Sequence, residues 1–322
     1  MSGVCSALVI LFGIMLLGFL AERKRFFASD MALCLNQFVY WISLPALLFS
    51  QMCTLSITGE IRALLWGTLG SSFLCYALFY TLLFRVFRND AGKSALRTLT
   101  CVFPNAAFMG IPFILTIFPG NDTALAAAML GALLYTGVLV LTDALLDMRH
   151  SPPGRGLILR QFLTVARNPA IGATFLSIGL AAFNLPAPET LLTMTRMLGS
   201  TAAPCALFSM GMVLAAQMSS LSGLRNLQLL PLVGVSLSKL FLHPLVTFCV
   251  LSLAGCSGTV LAAGTLTSAM PVGTISYVIS ERHGTDQAQT SMIIILSTLL
   301  SLLSLPAVMF LLDACRLLSA GA

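Results

Sequence analysis

Two short stretches of this chain combine residue types that a membrane helix ordinarily avoids. Phe103-Pro104-Asn105-Ala106-Ala107-Phe108-Met109-Gly110-Ile111-Pro112 places two prolines, a glycine and an amide inside an apolar segment, and Ala269-Met270-Pro271-Val272-Gly273-Thr274 interrupts another. Proline removes a backbone donor and clashes with the preceding turn, while hydrocarbon offers no water to the carbonyls it frees. Such a break therefore persists only against protein or a watery cavity. A helix that restarts after a break presents free N–H groups and a partial positive charge, which favour an anion such as a carboxylate. The chemistry open to Asn105, Pro104, Pro271, Gly273 and Thr274 is thus non-covalent anion binding. Asn105 has a second reading, in which it satisfies carbonyls freed by Pro104 or Pro112. Paired breaks in corresponding positions of two halves mark a carrier's binding site.

Lys239 is the other residue that could act on a ligand. It lies ten residues into an apolar stretch, where insertion scales assign a buried lysine about +3 kcal/mol. His243 follows one turn later on the same face, before Pro244. Lys239 either binds or neutralises the anion or caps carbonyls at a break; both readings stand. Pro45 and Pro204 kink two further segments and, with Gly110, Pro112 and Ser209, are assigned to hinge or crossover support. Ser50, Ser209, Thr274 and Ser276 either line a polar cavity or bond their own backbone one turn back. Arg196, near a segment end, snorkels to the interface.

The elements that must position these residues are membrane helices. A mean hydropathy of +0.97, with 58% hydrophobic and 9% charged residues over 322 positions, leaves a soluble globule far too little polar surface. A span needs roughly 20 apolar residues, and ten segments approach that length: 3–21, 31–52, 63–84, 98–118, 124–146, 169–183, 191–216, 229–253, 259–280 and 288–312. The first reads as a span with its N-terminus outside, because Glu22-Arg23-Lys24-Arg25 follows the apolar run, whereas a signal peptide carries its positive charge in front. With that orientation thirteen Lys and Arg fall in inner loops and two, Arg62 and Arg316, in outer ones. This is a positive-inside pattern with both termini outside. The net charge of +6 sits in short clusters without aromatic interleaving, so nucleic acid is not an expected partner.

The polar segment 151–168, containing Ser151-Pro152-Pro153-Gly154, reads as a cytoplasmic linker between two five-helix repeats, 1–150 and 169–322. An odd number of spans per half makes the second enter the membrane inverted. Pro45-Ala46-Leu47-Leu48-Phe49-Ser50 lines up with Pro204-Cys205-Ala206-Leu207-Phe208-Ser209, and a nearby offset brings Phe103-Pro104 onto Met270-Pro271. The fold class expected is an all-α polytopic membrane protein of ten helices with crossed, broken fourth and ninth helices.

Absences narrow the chemistry. Spans four and nine hold no Asp or Glu before Glu281, which argues against a proton antiporter built on a carboxylate pair. His150, His243 and His283 are scattered, without the spacing of a metalloprotease helix. The nine cysteines lie mostly inside apolar runs with no C-x-x-C and read as small hydrophobes. No enzyme activity, cofactor or metal is expected.

Asn36 to Phe49 (NQFVYWISLPALLF), Gly110-Ile111-Pro112, Ala202 to Gly211 (AAPCALFSMG), Lys239 to Pro244 (KLFLHP) and Ala269 to Gly273 (AMPVG) with Gly284 resemble the auxin efflux carrier family, in order and along nearly the whole chain. The resemblance implies ten helices in two inverted repeats, an architecture shared with bile-acid symporters and a bacterial sodium/proton antiporter. It implies alternating-access, elevator-like transport of organic anions: auxin in plants, and malonate, malate or related carboxylates in bacteria. Asn105 matches a proline-adjacent asparagine that takes part in carboxylate recognition in plant members. Span five contains no Asn, which departs from the plant pattern, and the short loop favours a bacterial carrier in the inner membrane. The partners implied are a small organic anion and the bilayer. A proton or sodium ion stays open as coupling ion, and so does a homodimer. A channel or an integral-membrane enzyme is the alternative class.

Overall fold

Two prolines, Pro104 and Pro271, mark where helices of this chain break, while others lie inside helices that continue. The computed structural model describes residues 2–28, 30–53, 58–148, 159, 161, 163, 166–183, 185–220 and 229–318. The linker motif Ser151-Pro152-Pro153-Gly154, together with His150 and with Arg149, Arg155, Arg160 and Arg225 of the charge count, lies outside the described residues.

The first half contains α1 (Ser2–Arg23), α2 (Met31–Met52), α3 (Gly59–Val86), α4 (Ala91–Val102), α5 (Ala106–Ile117) and α6 (Asp122–Asp147). The second contains α7 (Pro169–Ala182), α8 (Glu189–Met218), α9 (Leu230–Leu253), α10 (Gly258–Ala269), α11 (Ile275–Arg282) and α12 (Gln287–Ala314). Six of these, α2, α3, α6, α8, α9 and α12, are long and apolar enough to cross a membrane. Among the described residues there is no strand, only one isolated bridge. Every apolar segment read from the sequence coincides with helix, and segments 98–118 and 259–280 each coincide with two short helices separated by extended backbone.

Helix starts follow local chemistry. Thr58 Oγ1 accepts from Ile61 N–H at the head of α3, Asp90 Oδ1 from Gly92 and Lys93 N–H at α4, and Asn121 Oδ1 from Ala124 N–H at α6. Inside helices, three prolines sit just after a widened π-turn: Val39–Ser43 precedes Pro45, Ala106–Gly110 precedes Pro112, and Ser238–Leu242 precedes Pro244. Proline cannot donate to the carbonyl four residues back and clashes with it, and a wider turn relieves both conflicts without ending the helix.

The interior is built from small residues. Every position of α10 from Val260 to Ala269 is buried, as is the run Ala124–Gly131 of α6, and these two helices pack at the centre. Gly18 of α1 lies against the Phe208 carbonyl and Gly211 of α8 against the Met15 carbonyl, so closely that a Cβ at either would fall 2.0 or 1.9 Å from oxygen. Contact of this kind is what holds membrane helices together, since burying apolar surface gains nothing against lipid. The outer faces carry the large apolar side chains: Leu253 is 88% exposed and Trp66 and Leu303 each 75%. Such a surface belongs in hydrocarbon.

Candidate functional site

Proline disfavours the helical region for the residue before it; Leu44, Ile111 and His243 stay helical behind their π-turns, whereas the residues before Pro104 and Pro271 leave the helix. Phe103, before Pro104, therefore ends α4 at φ −78°, ψ 108°, and Met270, before Pro271, ends α10 at φ −59°, ψ 149°. The two extended stretches then satisfy one another. Asn105 N–H donates to Pro271 O at 2.7 Å and Gly273 N–H donates to Phe103 O at 3.0 Å, an antiparallel bridge centred on Pro104 and Val272. Val272 N–H donates to Ser297 Oγ of α12 at 3.1 Å. Gly273 has to be glycine for this approach, because a Cβ there would lie 2.5 Å from the Phe103 ring and 3.0 Å from Pro104 O. At Gly110 the fit is tight but less strict: an added Cβ would lie 3.2 Å from Met270 Cγ, a side-chain atom that could give way by a few tenths of an ångström.

Both restarting helices begin at this bridge. A cavity of about 190 Å³ opens beside it, lined on one side by Phe103 to Phe108 and on the other by Gly273, Thr274 and Ile275. At the head of α11, Ser276 and Tyr277 N–H already donate to Gly273 O and Thr274 O at 3.0 Å each. The N–H groups that remain at the two positive helix ends are those of Ala106, Ala107 and Phe108 in α5 and of Thr274 and Ile275 at α11, and all five residues line the cavity. Tyr40, Leu44 and Leu48 of α2, Met129, Thr136 and Leu139 of α6, and Asn168 and Ala170 at the start of α7 complete the wall. No Lys or Arg lines it among the described residues. Asn105 is 3% exposed, and its Nδ2 donates to Met210 Sδ at 3.4 Å. Sulfur is a weak acceptor, so this amide is not spent on carbonyls freed by proline.

Lys239 does not line the cavity. It is fully buried on α9, its Nζ donates to Ser268 O at 2.5 Å near the end of α10, and it lies 3.3 Å from His243 Nδ1. In this arrangement its ammonium reaches one carbonyl, that of Ser268, beside the second break.

A second polar cluster went unread in the sequence. Asp143 of α6, 3% exposed, accepts from Arg282 Nη1 with both oxygens at 3.2 Å, from His283 Nε2 at 2.9 Å and from Gln161 Nε2 at 3.1 Å. It fastens the end of α11 to α6, one turn beyond Leu139 of the cavity wall. Arg97 Nε donates to Asp286 Oδ2 at 2.9 Å nearby, tying α4 to the head of α12. His283 and Asp286 flank the positive-φ Gly284, and that turn was the available signal.

Of the residues singled out in the sequence, Pro104, Asn105, Gly273 and Thr274 come together at the cavity, and Pro271 contributes its carbonyl to the bridge. Pro112 sits at the start of the regular part of α5, and Pro45 lies between the lining residues Leu44 and Leu48. Pro204 falls in the first turn of the helix that restarts at Ala202, where proline is tolerated. Ser50 and Ser209 bond the carbonyls of Leu47 and Ala206, matching their aligned positions, and Ser209 Oγ also donates to Asn36 Oδ1 at 2.7 Å. Ser276 Oγ is buried without a partner. Tyr40, Thr136, Asn168 and Met210 were missed. No group of three or more His, Cys, Asp or Glu able to hold a metal occurs among the described residues.

A family model described as membrane transport protein matches residues 4–162 and 156–309. A protein of Rhizobium meliloti (strain 1021), provisionally named a malonate transporter, is 25% identical over 317 residues, covering 97% of this chain and 96% of that relative.

Proposed function

The chain belongs to the membrane transport protein family, a family of transporters and not of enzymes, and on that premise we propose that it is a secondary carrier for a small organic anion of the malonate class. One observation carries the proposal: the positive ends of α5 and α11 converge, through the bridged breaks, on a single cavity that also holds the Asn105 amide. A carboxylate placed there would accept from the N–H groups of Ala106 to Phe108 on one side and of Thr274 and Ile275 on the other, and from Asn105 Nδ2 in place of the sulfur, with Thr274 Oγ1 and Thr136 Oγ1 as further donors. Each helix terminus contributes up to about 2 kcal/mol in a partly buried setting. Asn105, Pro104, Pro271, Gly273 and Thr274 form the binding element. Lys239 acts from behind it, and Gly110, Pro112, Pro45, Pro204 and Ser209 support the crossover.

The reading includes ten spans in two inverted repeats, 1–150 and 169–322, with segments 98–118 and 259–280 crossing at mid-membrane. It also includes both termini outside a bacterial inner membrane, and alternating access by an elevator-like movement. The bridge is what supports a rigid crossover: it joins the halves where each would otherwise leave carbonyls unpaired.

The test is a thermal-shift screen of the purified protein against small carboxylates, amines and neutral sugars. Malonate and its near relatives should raise the melting temperature, by mass action on the folded state, and the amines and sugars should not. A shift with amines and none with any carboxylate would remove the anion reading.

A further inference from the structure

At the second break the negative end of a half-helix is already occupied. The last carbonyls of α10 have no partner within the helix, and such half-helix C-termini are where broken membrane helices hold a coupling cation. Here the Ser268 carbonyl receives Lys239 Nζ at 2.5 Å and lies 3.2 Å from His243 Nδ1, with the two nitrogens 3.3 Å apart. The π-turn Ser238–Leu242 sets both side chains toward α10, and both are fully buried. His243 Nε2 is buried with no partner at all. No carboxylate pairs with Lys239 among the described residues. The other titratable groups that face the pair are Cys75 of α3, Cys101 of α4 and Tyr135 of α6, whose ring stands edge-on to His243 at 5.6 Å. From Thr290 to Leu312, α12 adds no charged residue.

We propose that Lys239 and His243 together bind the coupling proton of this carrier, and that no sodium ion is used at this break. With the ammonium present, Nζ donates to Ser268 O and to His243 Nδ1, which leaves the imidazole hydrogen on Nε2. Release runs through the pair: the Nζ–H bond breaks as the Nδ1–H bond forms, and the Nε2 proton passes to water. What remains is a neutral amine and an imidazole whose Nδ1–H donates to the same carbonyl. Ser268 O is capped in both states, so the proton comes and goes without orphaning the end of α10. The unpartnered Nε2 is the exit atom this relay requires. Three residues beyond Ser268, Pro271 enters the bridge, and Gly273 opens onto the cavity. An anion in the cavity therefore favours the charged form of the pair, which is the coupling.

The inference rests on the cargo reading above, so a substrate-free measurement comes first. In ligand-free protein, the melting-temperature difference between wild type and Lys239→Met should change with pH, as linkage requires of a group that exchanges its proton. A constant difference overturns the proton site whatever the cargo. In sodium-free proteoliposomes, an inwardly directed proton gradient should then drive accumulation of radiolabelled malonate by wild type. Lys239→Arg, which keeps the charge and does not release it, and His243→Gln should still exchange malonate for malonate while gradient-driven accumulation falls at least about tenfold. Accumulation by both variants at the wild-type level, or a wild-type requirement for sodium, contradicts the inference. Absence of malonate exchange in wild type contradicts the cargo reading instead and leaves the melting curves to decide the proton site.

Discussion

Asn105 offers its amide to a sulfur while its own backbone is held at both ends, by Pro271 O on one side and by the N–H groups of Met109 and Gly110 on the other. Truncation should therefore cost little in folding and much in binding. Asn105→Ala should weaken malonate binding by about 1 to 3 kcal/mol, the usual loss for a hydrogen bond to a charged group, read as a dissociation constant beside an unchanged melting temperature. Gly273 is the opposite case. Gly273→Val would drive methyl groups into the Phe103 ring and Pro104 O, and overpacking of that kind costs about 1 to 3 kcal/mol. It should lower the melting temperature and abolish binding together. Sequence alone made Asn105, Pro104 and Gly273 legible, because proline and glycine carry their backbone consequences locally. Met210, Tyr40 and Thr136 were not, since nothing in their own spacing says which cavity they face. Lys239 was legible as costly and ambiguous in role, and only the position of the Ser268 carbonyl separates capping from ligand contact.

The broken elements explain more of the site than any single side chain. Pro104 and Pro271 end α4 and α10 through the residue before each proline, which is why the breaks could be read at their true positions. That the two broken segments cross was an expectation from the sequence; the hydrogen-bonded bridge between Pro104 and Val272 was not legible there, because it is fixed by packing across most of the chain. The π-turns before Pro45, Pro112 and Pro244 were equally hidden, as the prolines signal a conflict without saying how it is relieved. Asp143 supplies the element-scale test. Asp143→Ala removes the group that holds Arg282, His283 and Gln161 to α6, and breaking a buried pair costs about 3 to 5 kcal/mol. The low end is expected, since Arg282 keeps 37% of its side chain in solvent. The melting temperature should fall, and the end of α11 should exchange amide hydrogen faster than α10; unchanged exchange would show that α11 is held by packing alone.

At the scale of the whole molecule, composition and length were enough to read an all-helical integral membrane protein, and charge distribution was enough to propose its orientation. A cysteine introduced at Ser2 in a background without native thiols should react with an impermeant reagent added outside, and one at Ser151 should not; labelling of Ser151 in sealed cells would reverse the topology. The central claim is that the two bridged breaks form one anion site in a carrier. It is tested most directly by malonate counterflow in proteoliposomes, comparing wild type with Asn105→Ala. The account predicts slow, saturable exchange of radiolabelled malonate by wild type, with the half-saturating concentration raised about 5- to 150-fold in a folded Asn105→Ala protein, the same free energy expressed as affinity. Saturable exchange with wild-type half-saturation in Asn105→Ala, or flux that never saturates, would contradict it.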